Sequence, residues 1–199
     1  MPFSGPFDQD YFESGVATGP GYTYYPRVAS WMDEVAADIE AEIGPLAGLD
    51  VLEVGCAYGI LADLLSALGA NVTGLDISTW AISQAQSRYP SLTFVEGDVL
   101  SLPFPRNSFD VVIGIGVLEC LADNAAMEVA LREAKRVLKP QGALYGLAST
   151  IGPPEWYLQR TPAEMLILVE SIGWGGNRTV TVTNVRGQSL GYDVRLVVE

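Results

Sequence analysis

The chain has 199 residues, of which 24 are acidic and 11 basic, so its formal net charge at pH 7 is −13. Such a surface repels phosphate groups, which disfavours nucleic acid as a partner. Hydrophobic residues make up 49% of the chain and charged residues 18%, a balance typical of a globular protein rather than a disordered one. The length favours one domain over residues 1–199.

Residue types narrow the chemistry further. The sequence contains no histidine, which removes the side chain most often used as a general base near neutral pH. Its two cysteines, Cys56 and Cys120, cannot alone form a four-ligand zinc site, so no metal is expected. The N-terminus lacks the basic start of a secretion signal, and the longest apolar stretch, 111–117, is far shorter than the roughly 20 residues that span a bilayer. We therefore expect a cytoplasmic protein with reduced thiols and no membrane contact.

The N-terminal part of the chain is unusually aromatic. Residues 1–31 carry 8 of the 19 aromatic residues among frequent glycines and prolines. Residues 1–27 are predicted to be an irregular segment, which either packs on the core, covers the site as a lid, or covers a second copy in a homodimer. Apolar positions from Val28 onward predict an amphipathic N-terminal helix over 28–45.

From Asp50 onward, short β-rich runs alternate with helical patterns, which indicates an α/β fold with a largely parallel sheet. Gly69 is placed to end the first of these helices, and Thr161 with Glu164 forms a capping box for the last. The final two strands are joined without a helix, so they should pair as an antiparallel hairpin. Seven strands are predicted, over 50–54, 71–75, 92–96, 109–114, 142–148, 178–184 and 192–198.

The stretch VLEVGCAYG at 51–59 carries the strongest chemical signal. It is a strand followed by a turn with Gly55 and Gly59 and then a helix. Glycines let the backbone turn sharply and approach a ligand, and the helix N-terminus presents unpaired N–H groups. Because tight turns need glycine for structural reasons too, this motif alone does not establish a nucleotide site.

Acidic residues at the ends of successive strands strengthen the prediction. Asp76 closes the second strand in GLDIS, 17 residues after Gly59, where a carboxylate can accept both hydroxyls of an adenosine ribose. Asp98 closes the third strand in EGDVLSLPF, and Glu53 lies in the first. The three acids should therefore converge at the carboxyl edge of the sheet, where ligands bind in open α/β folds.

These motifs resemble those of the class I S-adenosylmethionine-dependent methyltransferases. The resemblance extends from about Asp50 to the C-terminus and rests on five segments in the family's order: VLEVGCAYG, LDIS, EGDVLSLPF, FDVVIGIGVLECLAD and LREAKRVLKPQGALY. It implies a Rossmann-like, doubly wound seven-stranded mixed sheet over residues 50–199, mostly parallel with an antiparallel C-terminal hairpin. It also implies S-adenosylmethionine as the cofactor.

The resemblance implies a role for each matching residue. Glu53 would orient the first loop, and Asp76 would hold the ribose hydroxyls. The methionine part of the cofactor would lie against the loop residues Gly55, Cys56, Ala57 and Gly59. The adenine and the sulfonium would lie near Ile77, Asp98, Val99 and Ile115.

The N-terminal segment supplies a further hypothesis. Tyr25, Arg27 and Trp31 precede the first motif, and we expect them to close over the cofactor, with Arg27 near its carboxylate. Replacing Arg27 with alanine should then weaken cofactor affinity. Replacing Asp76 with alanine should abolish most binding without unfolding the protein.

Two positions depart from the family pattern. Ala57 stands where a glycine is frequent, and a small side chain should be tolerated there. Glu119-Cys120 stands where many small-molecule members have Glu-His, so a histidine base is missing. Cys120 is interpreted as a small apolar residue rather than a reactive thiol.

Methyl transfer from a sulfonium is an in-line displacement that needs alignment more than a strong base. Glu119 and Tyr157 are the candidate catalytic residues, Glu155 is a further candidate base, and Trp156 and Arg160 are expected beside Tyr157. Glu119 has an alternative role as a carboxylate at a helix start. The favoured function is methyl transfer to an oxygen or nitrogen of a small-molecule acceptor. Two alternatives stay open: a noncatalytic cofactor-binding or partner-binding relative, and an NAD-binding redox protein.

Overall fold

A computed structural model describes residues 7–13, 25–148, 160–174, 180–184 and 194–198, without the side chains of 25–30 and 184. Within these ranges the helices are α1 (Gln9–Glu13), α2 (Tyr25–Ile43), α3 (Ile60–Ala67), α4 (Thr79–Arg88), α5 (Asn124–Val137) and α6 (Pro162–Ser171). The strands are β1 (Asp50–Val54), β2 (Asn71–Asp76), β3 (Thr93–Glu96), β4 (Phe109–Ile115), β5 (Leu138–Ala148), β6 (Val180–Asn184) and β7 (Val194–Val198).

The described strands form one seven-stranded sheet in the order β3-β2-β1-β4-β5-β7-β6. Strands β1 to β5 run parallel, whereas β7 pairs antiparallel with both β5 and β6. The predicted mixed sheet with an antiparallel C-terminal hairpin is therefore confirmed. Its order reverses between β1 and β4, and in open α/β sheets the crevice at such a reversal is where ligands bind.

The side chains of successive residues in the central strands pack into two apolar layers, one on each face of the sheet. Val51 packs in the layer that contains α2, α3 and α4, and its neighbour Leu52 packs in the layer that contains α5 and α6. Burial on both faces explains the apolar run Val111–Ile113 inside β4, which shows no polar alternation. The carboxyl ends of β1, β2 and β4 are thereby held rigidly at one edge.

Helix α2 is tied to the sheet by a polar cluster on its inner side. The Tyr145 hydroxyl donates a hydrogen bond to Asp38, and the Arg195 guanidinium contacts Asp38 at 2.7 Å and Glu42 at 2.8 Å. The Arg195 side chain is only 12% exposed, so its charge needs both partners. The cluster fixes α2 across β5 and β7.

The N-terminal elements differ from their predictions. Helix α2 covers Tyr25–Ile43 rather than 28–45, because Pro26 suits its first turn and Gly44, with φ 98°, ends it. Residues 9–13 form α1 inside the segment predicted to be irregular. Asp8 caps this helix by accepting the Tyr11 N–H at 3.1 Å.

At the other end of the core, β5 begins at Leu138 instead of 142. Leu138 pairs with Phe109 before a register shift, after which Val111 pairs with Ala143. Other local predictions are confirmed: Gly69 has φ 91° just past α3, and the Thr161–Glu164 capping box is present. Among the described residues, no helix is long and apolar enough to cross a membrane.

Candidate functional site

The turn between β1 and α3, residues 55–59, is the first loop, and its backbone is unusual. Gly55, Ala57 and Gly59 all have positive φ, at 71°, 46° and 77°. The N–H groups of Gly55 and Cys56 both donate to the Leu75 carbonyl, at 2.7 and 3.0 Å. The loop is thereby folded against the end of β2. Glycine is favoured at position 55, since φ is positive and a Cβ there would lie 2.4 Å from Val117 Cγ2.

Asp76 binds this loop from the end of β2. Its Oδ2 accepts the Ala57 N–H at 2.9 Å, and its Oδ1 accepts the Ser78 N–H at 2.9 Å. Asp76 is only 7% exposed, and burial raises the pKa of its carboxyl group while the backbone N–H donors oppose that rise. Each carboxylate oxygen keeps a second lone pair that can accept from a ligand.

Asp98 occupies the corresponding position after β3. Its Oδ1 accepts the Leu100 N–H at 2.8 Å, and its carbonyl accepts the Ser101 N–H at 3.0 Å. These bonds form a tight turn that holds Asp98 and Val99 at the carboxyl edge of the sheet.

A cleft opens at this edge, and the space between its walls, including open solvent at its mouth, is about 710 Å³. Its lining comes from α1, the first loop, and the ends of β2, β3 and β4. Among the described lining residues, the charged groups are Asp76 and Asp98, and no basic side chain is present. The lining residues are Phe7, Tyr11, Phe12, Gly55, Ala57, Leu75, Asp76, Ile77, Gly97, Asp98, Val99, Ile115, Gly116, Val117, Cys120 and Leu121.

Seven of the predicted site residues line this cleft. They are Gly55, Ala57, Asp76, Ile77, Asp98, Val99 and Ile115. Ile77 is 52% exposed and lines the cleft, so its side chain can pack on a flat ligand. The cleft therefore combines carboxylate acceptors with apolar surface, as small-molecule sites do.

Three predicted residues lie behind the wall of this cleft instead of lining it. Gly59 is the N-cap residue just before α3, and a Cβ there would lie 2.6 Å from Phe94. Cys56 is buried in the apolar layer, and burial raises the pKa of its thiol well above its usual range. These two residues shape the loop from behind.

The third is Glu53, which is 4% exposed, and its Oε2 has no hydrogen-bond partner among the described residues. Burial, and then the nearby Asp76 charge, raises the pKa of Glu53 to about 8, while the Ala62 N–H lowers it. The raised pKa favours the protonated form of Glu53 near neutral pH.

Glu119 and Cys120 are neighbours in the turn after β4, but only Cys120 is among the lining residues of the cleft. Glu119 is 2% exposed and is not among the lining residues, so its role as a base stays a prediction. Cys120 lines the cleft, and its Sγ contacts the Gly116 carbonyl at 3.3 Å. Burial, and then the charges of Glu119 and Asp76, raises the pKa of this thiol, which disfavours a reactive thiolate.

Several predicted residues fall outside what can be described. The backbone of Tyr25 and Arg27 lies in the first turn of α2, but their side chains are outside the described set. Glu155, Trp156 and Tyr157 lie outside the described residues altogether. Trp31 packs against the apolar layer of α2, and the Arg160 guanidinium donates to Asn124 Oδ1 at the start of α5.

Nine lining residues were not predicted as site residues: Phe7, Tyr11, Phe12, Leu75, Gly97, Gly116, Val117, Cys120 and Leu121. The first three belong to α1 and the residues just before it. The aromatic richness of the N-terminal segment was a signal for them, but it did not identify which rings reach the cleft. In the described part of the chain, no group of three or more His, Cys, Asp or Glu could hold a metal.

Comparison with known proteins agrees with this geometry. Residues 52–146 match the family model of a methyltransferase domain. A probable S-adenosylmethionine-dependent methyltransferase of Mycolicibacterium smegmatis is 40% identical over 96 residues, which cover 48% of this chain and 36% of the relative. A ubiquinone biosynthesis O-methyltransferase of Albidiferax ferrireducens is 35% identical over 129 residues, covering 62% and 50%. A sterol 24-C-methyltransferase of Pneumocystis carinii is 32% identical over 146 residues, covering 68% and 38%.

Among solved structures, the S-adenosylmethionine-bound amino pentose methyltransferase of Micromonospora echinaspora superposes with a TM-score of 0.72. It is 18% identical, and the match covers 89% of this chain and 94% of that one, so it shows the shared fold. Fold and motifs define a doubly wound α/β domain with a ligand cleft at the carboxyl edge of its sheet. Residues 52–146 are therefore similar to the class I S-adenosylmethionine-dependent methyltransferases, as the motifs predicted, and the chain matches between about a third and half of the length of the curated relatives named above.

Proposed function

We propose that this chain is an S-adenosylmethionine-dependent methyltransferase that acts on an oxygen or nitrogen of a small molecule. The observation that carries the proposal is the Asp76 carboxylate. It is fixed by the N–H groups of Ala57 and Ser78 and lines the same cleft as Asp98 and Ile115.

The described residues fit this cofactor. Asp76 presents two oxygens with spare lone pairs, which suits the paired hydroxyls of a ribose. The exposed Ile77 side chain and the Asp98–Val99 turn offer apolar surface and an acceptor for an adenine. The negative charges of the two acids attract a cationic sulfonium ligand. In the described part of the cleft lining, no basic side chain opposes this attraction.

When bound, S-adenosylmethionine supplies an electrophilic methyl group on a cationic sulfur. The chain's own residues then align the acceptor and exclude water, because the cleft walls near β4 are the apolar side chains of Ile115, Val117 and Leu121. Cys120 holds its proton, and Glu119 lies outside the lining. A neutral amine or an acidic hydroxyl fits this arrangement because neither requires a strong base.

Transfer can be tested with isotope-labelled S-adenosylmethionine and a panel of amines, phenols and sterol-type alkenes, with fragmentation of the product to locate the label. The relatives named above include both an O-methyltransferase and a C-methyltransferase, so the panel must cover both. We expect label on oxygen or nitrogen, and label only on carbon would contradict that part of the proposal.

The same assay separates the roles of the candidate bases. Glu119→Gln and Tyr157→Phe should each lower kcat if the residue removes a proton, while cofactor affinity stays unchanged. Binding of the cofactor without transfer to any acceptor would instead support a noncatalytic relative.

A further inference from the structure

Four aromatic rings form a continuous series from the cleft to the first loop. Phe7 and Tyr11 meet edge to face with their centroids 5.0 Å apart, and Tyr11 and Phe12 do so at 5.1 Å. Phe12 then packs on Tyr58 at 5.2 Å with an interplanar angle of 32°. Three rings of the series line the cleft, and the fourth, Tyr58, belongs to the turn between β1 and α3.

The far end of the series rests on a cation. The guanidinium carbon of Arg88 lies 4.7 Å from the centroid of the Tyr58 ring. Arg88 is the last residue of α4, and its side chain is at the surface, whereas Tyr58 is only 6% exposed. Tyr58 therefore contacts both α1, through Phe12, and α4, through Arg88.

Helix α1 depends on these contacts for its position. It has five residues, far fewer than a helix needs to persist alone in water. Tyr11 and Phe12 are 8% and 4% exposed, and they pack in one apolar cluster with Ala57, Tyr58 and Ala81. The α1 rings that line the cleft therefore pack against residues of the first loop.

We propose that Tyr58 and Arg88 form a seat, the α1 seat, that holds α1 over the cleft and sets how fast a bound ligand leaves. Both are positioning residues, since neither lines the cleft. The effect on the ligand rests on the proposed function, but the holding of α1 does not. The two parts can therefore be tested separately.

The first test needs no ligand. Amide hydrogen exchange of residues 7–13 is measured by mass spectrometry in the full chain and in the variants Tyr58→Ala and Arg88→Gln. Exchange there should rise by about two- to fivefold in Arg88→Gln, as loss of one exposed cation–π contact implies, and by about tenfold or more in Tyr58→Ala. Unchanged exchange in residues 7–13 would overturn the proposal whether or not a ligand binds.

The second test measures dissociation of S-adenosylhomocysteine by stopped-flow displacement. In each variant, the dissociation rate should rise by about the same factor as the exchange of residues 7–13. Arg88→Gln should cause no further rise in the Tyr58→Ala background, because the cation acts through the ring. An additive double variant would contradict the seat. If the unaltered chain does not bind S-adenosylhomocysteine but exchange is faster in the variants, the proposed function is contradicted and the α1 seat is supported.

Two controls separate a seat from general destabilisation. Tyr58→Phe keeps the ring and should restore slow dissociation. Arg132→Gln removes an equivalent exposed arginine, paired with Glu128 on α5, and should leave exchange in residues 7–13 and dissociation unchanged. Equal effects of Arg132→Gln and Arg88→Gln would contradict a specific role for Arg88.

Discussion

The Asp76 carboxylate accepts the backbone N–H of Ala57 at 2.9 Å, which ties the end of β2 to a loop residue with φ 46°. One side chain therefore both shapes the first loop and faces the cleft. A substitution of Asp76 should therefore change both ligand binding and the stability of the protein.

Asp76→Asn should weaken adenosyl-ligand binding by about 10- to 100-fold, as expected for the loss of a charged acceptor. It should also cost about 1–3 kcal/mol of stability, since the amide group cannot accept from both Ala57 and Ser78. Calorimetric titration and chemical denaturation measure the two effects. Asp63→Asn, an exposed carboxylate on α3, is the matched control, and equal affinities of the two variants would contradict the role of Asp76.

Glu53 should make stability depend on pH. Its pKa is raised to about 8 in the folded protein from 4.5, so between these values the folded state holds a proton that the unfolded state has lost. Its contribution to stability is therefore present in full below the unfolded pKa and is lost as pH rises towards 8, by about 1.4 kcal/mol per pH unit.

Chemical denaturation across pH 5 to 9 checks this for the unaltered chain and Glu53→Gln. Glutamine keeps the uncharged form, so the stability of the variant relative to the unaltered chain should rise with pH. Parallel curves would show that Glu53 does not titrate in this range.

Glu53 should also couple ligand charge to proton release. A cationic ligand favours the ionised carboxylate, so binding S-adenosylmethionine at pH 7 should release up to about one proton. Calorimetric titration in two buffers of different ionisation enthalpy measures this release. Glu53→Gln should abolish it, and identical binding enthalpies of the unaltered chain in both buffers would contradict the coupling.

Gly55→Ala should destabilise the protein by about 1–3 kcal/mol, because the new Cβ meets Val117 and the backbone has positive φ. Adding Val117→Ala should recover part of that loss by removing the clash. Gly146→Ala is the matched control, since its Cβ would have no contact closer than 3.7 Å. Equal losses in Gly55→Ala and Gly146→Ala, measured by denaturation, would contradict the clash.

Much of the core could be predicted because its strands are buried on both faces. Val51 and Leu52 feed opposite layers, and such strands appear as apolar runs of recognisable length. The early start of β5 could not be predicted, since Pro140 and Gly142 are typical of a turn. Helix α1 is too short to show a helical period.

Which residues line the cleft could be predicted where a residue lies at or just after a strand end, and the role of each residue towards a ligand stays a prediction. Asp76 ends β2 and Asp98 lies two residues after β3, so their convergence follows from the parallel sheet. For Glu119 and Cys120, the direction of each side chain depends on the turn after β4, and the sequence does not specify it. The reach of Phe7 and Tyr11 into the cleft likewise depends on where α1 docks.

The most direct test of the account is calorimetric titration of the chain with S-adenosylmethionine, S-adenosylhomocysteine and NAD in parallel. The cleft around Asp76 and Asp98 predicts micromolar binding of both adenosyl ligands and none of NAD. Absence of adenosyl binding by folded protein, or binding of NAD in its place, would contradict the assignment.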